Sequence, residues 1–324
     1  MSTKVYYMPS KNKRRVFLTG AGGFIGANLT RSLFKKNYDV HILSHTNELS
    51  WRLQNIAKEL NIHKGNITDF ISLKQALQKA KPDYIIHLAV YGAYHFQNDL
   101  GKITQTNIIG TKNLLEASID IPYKCFINTG SSSEYGYKNT PMKETDFCDP
   151  VSYYAATKLA AAHLCKIFAQ INNKPIVTFR LFSVYGPYEA PARLVPAVMK
   201  ALIKKETIKL SPGKQRRDFI YVQDVCDAYL QTLKLGSKLK GEILNIGTVR
   251  ENTNDEVVST LFKITKQKTI IDKGSYPKRP WEALHWRANM THTKKLLAWK
   301  PSYTLDKGLL STYSWFEKNI SFYE

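Results

Sequence analysis

Cysteine is scarce in this sequence, with four residues in a chain of 324: Cys125, Cys148, Cys165 and Cys226. Their spacing has neither the pairing of a zinc site nor that of a disulfide-stapled secreted domain. The eight histidines also lack metal-ligand spacing. We therefore expect reduced thiols, no metal site and a cytoplasmic location.

Long apolar runs are missing as well. The longest candidates, residues 84–89 and 194–203, have the length of a strand and of a helix, which is too short to span a bilayer. Residues 1–15 carry charge but lack the apolar core of a signal peptide. The sequence therefore predicts no membrane association and no secretion.

Acidic side chains are few in comparison with basic ones. The chain has 26 acidic and 47 basic residues, which gives a formal net charge of +21. Such a charge suits a polyanionic partner, or else a lysine-rich solvated surface that also attracts phosphorylated small molecules. The lysines are spread along the chain, without the arginine–aromatic interleaving of a nucleic-acid module. We therefore favour the solvated surface and expect no nucleic-acid partner.

The most informative stretch that is present covers residues 15–29. Residues 16–18 form a short apolar run suited to a strand buried on both faces, and an amphipathic helical pattern follows. Between them, Gly20, Gly23 and Gly26 are spaced three apart. In a dinucleotide site the first glycine permits a tight turn, the second lets the backbone approach a pyrophosphate, and the third packs the helix against the sheet. This context predicts a nucleotide site at the helix N-terminus.

The end of the second predicted strand, at residues 39–43, lacks an acidic residue. In an NAD site a carboxylate at this point bonds the ribose 2′-hydroxyl. This chain has Ser44 and His45 there, with Arg52 further on. A hydroxyl, an imidazole and a guanidinium suit a 2′-phosphate better, which favours NADP(H) over NAD(H). In the alternative interpretation, Ser44 is an indifferent turn residue and Arg52 is a surface charge.

Strands and helices alternate with short connections along the first half of the chain. The pattern predicts a strand at 62–64, a helix at 73–80 and a strand at 84–88. Such alternation predicts an α/β protein with a Rossmann-type doubly wound parallel sheet. Ligands bind at the carboxyl ends of such strands, so Tyr91 and Tyr94, which follow the last of these strands, either line a nicotinamide and sugar pocket or serve packing.

A serine-rich strand end precedes a helix that carries a tyrosine and a lysine. The strand at 125–128 leads to Ser131, and Tyr154 and Lys158 lie four apart on one face of the next helix. A neighbouring ammonium stabilises a tyrosine phenolate, which unaided forms only near about pH 10. The tyrosine can then exchange a proton with a substrate oxygen that a serine hydroxyl orients. A nicotinamide would exchange hydride with the same carbon.

Several motifs, in order along the chain, resemble those of one family. They are TGAGGFIG at residues 19–26, the serine-rich strand end followed by Tyr135-Gly136, Tyr-x-x-x-Lys at 154–158, and the segments 180–187, 216–222 and 296–301. Over nearly its whole length the chain resembles the extended short-chain dehydrogenases/reductases, and more narrowly the NAD-dependent epimerase/dehydratase group that acts on nucleotide-sugars. The resemblance implies a dinucleotide-binding domain over residues 1–185 plus about 217–250. It also implies a smaller C-terminal substrate-binding α/β domain over about 186–216 plus 251–324.

The resemblance also assigns roles to individual residues. Ser131 matches the catalytic hydroxyl residue and Tyr154 the acid/base tyrosine. Lys158 matches the lysine that holds the nicotinamide ribose and lowers the tyrosine pKa, and Asn107 matches a helix asparagine that supports the site. Further cofactor contacts are implied for Gly20, Gly23, Phe24, Ile25, Gly26, Asn66, Ile67, Leu88, Ala89 and Leu181. Substrate contacts are implied for Tyr91, Tyr94, Ser132, Ser133, Ser183, Val195, Arg217 and Arg279, the two arginines meeting the diphosphate.

Departures from the family pattern narrow the expected reaction. The 4,6-dehydratases of the family carry Asp-Glu or Ser-Glu just after the catalytic hydroxyl, where this chain has Ser132 and Ser133. Serine is a poor acid or base for that elimination, so we do not expect dehydratase activity. Glu134 lies one place later, where the family commonly has an aliphatic residue. Ser183 and Asn289 replace the asparagine and aspartate of many members, which changes the expected substrate contacts.

Two reactions remain, both at C4 of a nucleotide-diphosphate hexose. A reductase of a 4-keto-6-deoxyhexose would use exchangeable NADPH. Ser44 favours it, as does the resemblance of residues 91–97, 131–136 and 153–158 to deoxysugar reductases such as the CDP-abequose and CDP-paratose synthases. An epimerase would keep NAD tightly bound and return hydride to the other face of the sugar. A third alternative is a non-catalytic regulator of the same fold, against which the intact tyrosine–lysine pair argues.

The family resemblance further implies a homodimer. The helices predicted at 103–117 and 154–169 carry more apolar residues than one buried face needs, and they would pack against their partners. In the second half of the chain, four tryptophans are expected to fill the core of the small domain: Trp281, Trp286, Trp299 and Trp315.

Overall fold

A computed structural model describes residues 13–210, 215–274 and 285–323 of the chain. Its strands, in chain order, are β1 (Arg15–Thr19), β2 (Asp39–Ser44), β3 (Asn61–Lys64), β4 (Tyr84–His87), β5 (Cys125–Ser131), β6 (Ile176–Leu181), β7 (Ser183–Tyr185), β8 (Ile208–Leu210), β9 (Arg216–Arg217), β10 (Phe219–Tyr221), β11 (Ile243–Ile246), β12 (Asn252–Thr253) and β13 (Ile271–Lys273). Its α-helices are α1 (Phe24–Lys35), α2 (Phe70–Ala80), α3 (Leu100–Thr104), α4 (Gly110–Ala117), α5 (Tyr153–Ile171), α6 (Leu194–Lys204), α7 (Val222–Leu235), α8 (Asn254–Thr265), α9 (Thr291–Leu297) and α10 (Leu305–Asn319).

Seven of these strands form one parallel sheet. Its spatial order is β3-β2-β1-β4-β5-β6-β11, and every neighbouring pair is parallel. The order reverses at β1, so a crevice opens at the carboxyl ends of β1 and β4. The α/β class and the doubly wound parallel sheet predicted from the sequence are confirmed.

Helices cover both faces of the sheet. Helices α1 and α7 pack on one face, where Leu29 and Leu33 join a buried cluster with Tyr229. Helices α2, α4 and α5 cover the other face, with Leu77 and Leu114 in a second cluster. Because both faces are covered, the central strands can be continuously apolar, as the run at residues 16–18 predicted.

A third buried cluster lies in the second half of the chain. It joins α6, β8, α8 and α10 through Val198, Leu202, Leu261 and Phe316. Trp315 packs against this cluster as expected, but Trp299 is buried with the sheet core instead. Trp281 lies outside the described residues. The domain boundaries given from the sequence remain a prediction.

Two buried aspartates attach C-terminal segments to the rest of the chain. Asp218 accepts hydrogen bonds from the backbone N–H groups of Thr248, Val249 and Ala288, and from the Thr248 hydroxyl. Asp224 similarly holds the loop at residues 302–303. This gives a physical reason for the motif at 216–222: its Asp218 binds two backbone segments that are distant along the chain, residues 248–249 and residue 288.

The helix predicted at 103–117 is a composite element. It begins at Leu100 as α3, continues as one π-helical segment over Gln105–Ile109, and ends as α4. Such π segments are frequent at functional sites because they turn a side chain out of the regular helical register. Asn107 lies within this segment and is buried.

Candidate active site

The turn after β1 forms a cradle with no room for side chains. Gly20 has a φ of +72°, and a Cβ there would lie 2.5 Å from the Ala89 backbone nitrogen. A Cβ on Gly26 would collide with the Gly20 carbonyl oxygen. Helix α1 therefore packs directly against the turn, as the glycine spacing predicted.

The N-terminus of α1 opens onto this cradle. Its N-cap residue is Gly23, which offers no side chain to the first backbone N–H groups of the helix. Unpaired N–H groups and the helix dipole bind phosphates. The cradle and the uncapped helix end therefore fit the pyrophosphate of a dinucleotide.

One large cavity of about 2160 Å³ runs from this cradle along the carboxyl edge of the sheet. Pockets for a single drug-sized ligand have volumes of about 300–1,000 Å³, so this cavity suits two ligands side by side. Most residues selected from the sequence line it: Gly20, Gly23, Phe24, Ile25, Gly26, Ser44, His45, Asn66, Ile67, Leu88, Ala89, Tyr91, Tyr94, Ser131, Ser132, Ser133, Tyr154, Lys158, Leu181, Ser183, Val195 and Arg217.

Two selected residues are placed differently. Arg52 is absent from the cavity lining among the described residues: its Nε donates to the Tyr188 carbonyl at 2.7 Å, and its guanidinium lies 4.5 Å from the Trp51 ring centroid. The expected contact of Arg52 with a 2′-phosphate is therefore not supported. Asn107 also stands behind the cavity wall, and Arg279 lies outside the described residues.

Asn107 lies behind the cavity wall and holds two parts of it together by hydrogen bonds. Its side-chain oxygen accepts the Tyr91 N–H at 3.0 Å, and its Nδ2 donates to the Tyr91 carbonyl and to the Thr157 hydroxyl. The Thr157 hydroxyl in turn donates to the Tyr154 carbonyl at 3.0 Å. Asn107 therefore ties the loop after β4 to the start of α5.

Ser131 and Tyr154 meet at the centre of the cavity. The Ser131 hydroxyl is close enough to Tyr154 to act on its pKa, and the Ser131 Oγ accepts the Ser133 N–H at 3.1 Å. Burial raises the pKa of Tyr154, while the Ser131 hydroxyl and the Arg193 guanidinium act to lower it. Burial lowers the pKa of Lys158, one helical turn further along α5. Ser131 and Tyr154, which the sequence predicts to act on one substrate oxygen, are thus brought together.

The backbone of Ser131 is held by a buried ion pair that the sequence analysis did not select. Glu134 Oε1 accepts the Ser131 N–H at 2.7 Å, and Glu134 Oε2 accepts Arg180 Nε at 2.7 Å. Glu134 and Arg180 have 0% and 2% of their side chains exposed. One sign of this pair is present in the sequence, which is an acidic residue at position 134, where the family commonly has an aliphatic one. Its partner Arg180, on β6, could not be located from the sequence.

Ser132 also has an unforeseen partner. Trp286 Nε1 donates to the Ser132 Oγ at 2.7 Å, and the Arg217 guanidinium lies 5.5 Å from the Trp286 ring centroid. Trp286 lines the cavity and is half-buried. The expectation that it fills the core of the small domain was therefore wrong.

A tightly held turn forms another part of the wall. Three successive carbonyls, those of residues 187–189, accept hydrogen bonds from Asn28, Arg52 and Tyr323 respectively. Tyr188 has a φ of +67°, which is strained for a residue other than glycine. This turn presents Glu189, which is 6% exposed and whose Oε2 has no hydrogen-bond partner among the described residues.

Arg193 completes this side of the cavity. Its Nη2 donates to the Ala93 carbonyl at 2.8 Å, and its guanidinium lies 5.0 Å from the Tyr94 ring centroid. It is the cation that acts most on the Tyr154 pKa. The sequence analysis missed it because an arginine before a helix has no distinctive spacing.

Comparison with known proteins decides the family. A model of the "NAD dependent epimerase/dehydratase family" matches residues 16–247. The chain belongs to this family. One relative in it is a dTDP-glucose 4,6-dehydratase of Xanthomonas campestris, 29% identical over 93% of this chain and 93% of its own. Another is a UDP-glucuronate 4-epimerase of Thermodesulfobacterium geofontis, 29% identical over 94% and 96%.

Solved structures of family members have the same fold. A UDP-glucose 4-epimerase of Thermotoga maritima, solved with UDP-glucose, matches with a TM-score of 0.85 and 26% identity over 94% of this chain and 99% of its own. A UDP-glucuronic acid 4-epimerase of Bacillus cereus, solved with UDP-glucuronic acid and NAD, matches with a TM-score of 0.83 and 28% identity over the same shares. The similar proteins are thus NAD-dependent nucleotide-sugar enzymes of the short-chain dehydrogenase/reductase type.

Neither a membrane span nor a metal centre is found where the chain is described. No helix in residues 13–210, 215–274 or 285–323 combines the length and the apolar character that a bilayer crossing requires. Within the same ranges, no three histidine, cysteine, aspartate or glutamate side chains gather as metal ligands.

Proposed function

We propose that this protein is an NAD-dependent nucleotide-sugar 4-epimerase. The observation that carries the proposal is that Ser131, Tyr154 and Lys158 together line a cavity large enough for a dinucleotide and a nucleotide-sugar, with Ser131 close enough to act on the Tyr154 pKa. The three 4-epimerases described among the similar proteins favour inversion at C4.

In the proposed reaction each residue of the site has a separate role. Ser131 holds the C4 hydroxyl of the sugar, and Tyr154 takes the proton from that oxygen and later gives it back. Lys158 and Arg193 favour the deprotonated form of Tyr154 by their positive charge. NAD, when bound, supplies hydride acceptance and hydride return. Inversion then requires the 4-keto sugar to present its other face within the same cavity.

A dehydratase is the least favoured of the family's reactions. Abstraction of the proton at C5 needs an acid/base group next to the catalytic hydroxyl. Here Ser132 occupies that position, and its Oγ is the acceptor for Trp286 Nε1. A serine hydroxyl is too weak an acid and base for this step near neutral pH.

NAD is the better fit at the ribose end. Arg52, the strongest candidate for a 2′-phosphate, is engaged with Tyr188 and Trp51. Glu48 lines the cavity close in sequence to Ser44, and a carboxylate there favours a 2′-hydroxyl over a phosphate.

A reductase that uses NADPH is the second candidate. Ser44 and His45 both line the cavity, and no carboxylate stands at the end of β2 itself. A hydroxyl and an imidazole at that point tolerate a 2′-phosphate. The expected substrate is then a nucleotide-linked 4-keto-6-deoxyhexose.

The first experiment identifies the nucleotide that copurifies with the protein. Denatured protein is analysed by chromatography, and the same preparation is incubated with UDP-glucose, UDP-glucuronate and their 4-epimers. The epimerase predicts about one NAD(H) per chain and interconversion of at least one pair without added cofactor. An empty site that binds NADPH more tightly than NADH supports the reductase, and 4-keto sugars are then assayed. No affinity for either cofactor contradicts both and favours the non-catalytic alternative.

A further inference from the structure

A buried carboxylate lies directly behind the catalytic serine. Ser131 is the N-cap residue of a short 3₁₀ turn, Ser132–Tyr135, and Glu134 closes a capping box by accepting the Ser131 N–H. Its other oxygen accepts from Arg180, on the neighbouring strand β6. The end of β5 is thereby fixed from the next strand.

The space around this carboxylate allows little movement. A Cβ on Gly130 would lie 2.5 Å from Glu134 Oε1, so only glycine leaves the acceptor in place. The Arg180 guanidinium is stacked 4.4 Å from the Tyr135 ring centroid, and Tyr135 donates to Asn245 at 2.8 Å. Every group in this set is buried, which makes its geometry well defined.

We propose that the Glu134–Arg180 pair positions Ser131 and keeps the charge behind the Ser131–Tyr154 couple balanced. The proposal rests on the proposed roles of Ser131 and Tyr154. Glu134 and Arg180 touch neither substrate nor cofactor, and they act through the serine backbone and through the local electric field.

The positioning part follows from the hydrogen bonds. The Ser131 N–H donates to Glu134 and the Ser131 Oγ accepts the Ser133 N–H, so the capping box holds both the backbone and the side chain of Ser131. A hydrogen bond to an ionised acceptor is roughly twice as strong as a neutral one. An anionic acceptor therefore fixes Ser131 more firmly than the aliphatic residue common at this position could.

The balancing part follows from burial. A lone carboxylate here would raise the pKa of Tyr154 and hinder formation of its phenolate. Glu134 does act in that direction, and it also raises the pKa of Lys158. Burial alone would lower the pKa of Arg180, but Glu134, together with Tyr135 and Cys148, holds that pKa above its usual value. Arg180 thus stays charged and offsets the carboxylate.

Other groups also face the couple, and they stay constant in the test. Arg193 and Tyr94 face Tyr154 from the opposite wall, and Lys158 lies on the same helix as Tyr154. Cys165 and Glu134 face Lys158.

The test compares the pH dependence of kcat in Glu134→Gln, Arg180→Met and the double variant. Glutamine keeps an acceptor for Ser131 but removes the negative charge, so the acidic limb moves to lower pH by about one unit. Arg180→Met leaves the carboxylate unbalanced, so the limb moves to higher pH by a similar amount. In the double variant the limb returns to the wild-type position. Shifts in the same direction, or no shift in either single variant, overturn the balancing role.

A second comparison isolates positioning. Glu134→Leu removes both the charge and the acceptor, and we expect kcat to fall at least about tenfold below that of Glu134→Gln, with KM for the nucleotide-sugar little changed. Equal kcat values in the two variants contradict the positioning role. If one single variant fails to fold, the other decides the balancing role, because an unshifted acidic limb in that variant contradicts it. The tyrosinate absorbance of Tyr154, measured as the difference between wild type and Tyr154→Phe, should show the same pKa shifts without turnover. A failure of the proposed function is therefore distinguishable from a failure of this inference.

Discussion

At the scale of single residues, Tyr154 is the proposed proton carrier, and its neighbours set its pKa. Burial raises that pKa, and a hydrogen bond from Ser131 and the charge of Arg193 oppose the rise. A pair of hydroxyl groups without nearby cations would be inert at neutral pH. The reactivity expected from the tyrosine–lysine spacing thus depends also on Arg193, which lies just before α6.

Replacing Tyr154 by phenylalanine removes the proton carrier and leaves the ring. We expect kcat to fall by about 10²- to 10⁴-fold, the usual contribution of general acid–base catalysis, with cofactor content unchanged. Tyr153→Phe is the matched control, because Tyr153 is adjacent but 60% exposed. Full activity in Tyr154→Phe would contradict both the epimerase and the reductase proposals.

Glu189 makes stability depend on pH. Burial raises its pKa to about 8, so the folded chain keeps a proton that the unfolded chain releases near pH 4.5. Stability contributed by this proton is therefore present at low pH and is lost as the pH rises from about 5 to 8. In Glu189→Gln the loss is absent, so the Tm of the variant relative to wild type should rise over this range. A constant Tm difference between pH 5.5 and pH 8 would contradict this prediction.

At the scale of elements, Asp218 shows how one side chain organises several backbone segments. Its carboxylate is fully buried and accepts four hydrogen bonds at 2.5 to 3.1 Å. These bonds hold the loop after β11 and the segment before α9 beside β9, which carries Arg217 at the cavity.

Asp218→Asn converts two of these contacts into donor–donor clashes or broken bonds. We expect the free energy of unfolding to fall by about 3 kcal/mol, because buried donors are left unpaired. The KM for the nucleotide-sugar should rise more than the Kd for the dinucleotide, since Arg217 is displaced while the glycine cradle is untouched. Urea unfolding and titration with each ligand measure the two effects. Asp227→Asn, on the half-exposed side of α7, is the control.

The sequence predicts elements well where local rules decide them. The strands predicted at 39–43 and 84–88 agree to within one residue with β2 (Asp39–Ser44) and β4 (Tyr84–His87), because a short apolar run marks each of them. The π segment around Asn107 was not foreseen, since its cause is packing against the loop after β4 rather than residue preference. Trp286 was assigned to a core because an aromatic residue has no sequence signal that separates packing from a site.

The predictions of site residues likewise succeed where the pattern is local and fail where distant contacts decide. Contacts that come from one motif, such as the glycine cradle or Ser131 with Tyr154, were found because their spacing is local. Arg180, Glu189 and Arg193 were missed because their roles depend on partners far away along the chain, as in the pair of Arg180 with Glu134, which are 46 residues apart. Arg52 was placed at the cofactor by proximity in sequence, whereas tertiary contacts direct it to Tyr188.

At the scale of the whole molecule, Arg52 links the two halves of the chain. Its backbone carbonyl accepts Arg31 Nη2 at 2.6 Å, while its side chain holds the strained turn at residues 187–189. Trp51 adds aromatic contacts to Tyr188 and to the segment Ile320–Tyr323. The short loop after β2 thus stabilises the part of the cavity wall formed by residues 187–189. The predicted homodimer remains a prediction at this scale.

Arg52→Ala should weaken this stabilisation without changing cofactor choice. We expect a loss of about 1 kcal/mol in stability, for one hydrogen bond and its packing, and a higher KM for the nucleotide-sugar. The ratio of the Kd values for NADPH and NADH, measured by fluorescence, should stay the same as in wild type. Ser44→Asp, made in parallel, should shift that ratio towards NADH. A selective loss of NADPH binding in Arg52→Ala would restore the role predicted from the sequence.

The hydrogen bond from Tyr323 to the Glu189 carbonyl spans 134 positions along the chain. Synthesis on the ribosome proceeds at about 5–20 residues per second, so roughly 7 to 27 seconds separate the two partners during translation. Over that interval the glycine cradle and the first strands are already available to a cellular dinucleotide, whereas the turn at 187–189 still lacks its third anchor. We therefore expect a nascent chain of this protein to complete the cavity wall at residues 187–189 only after the segment that carries Tyr323 has been synthesised.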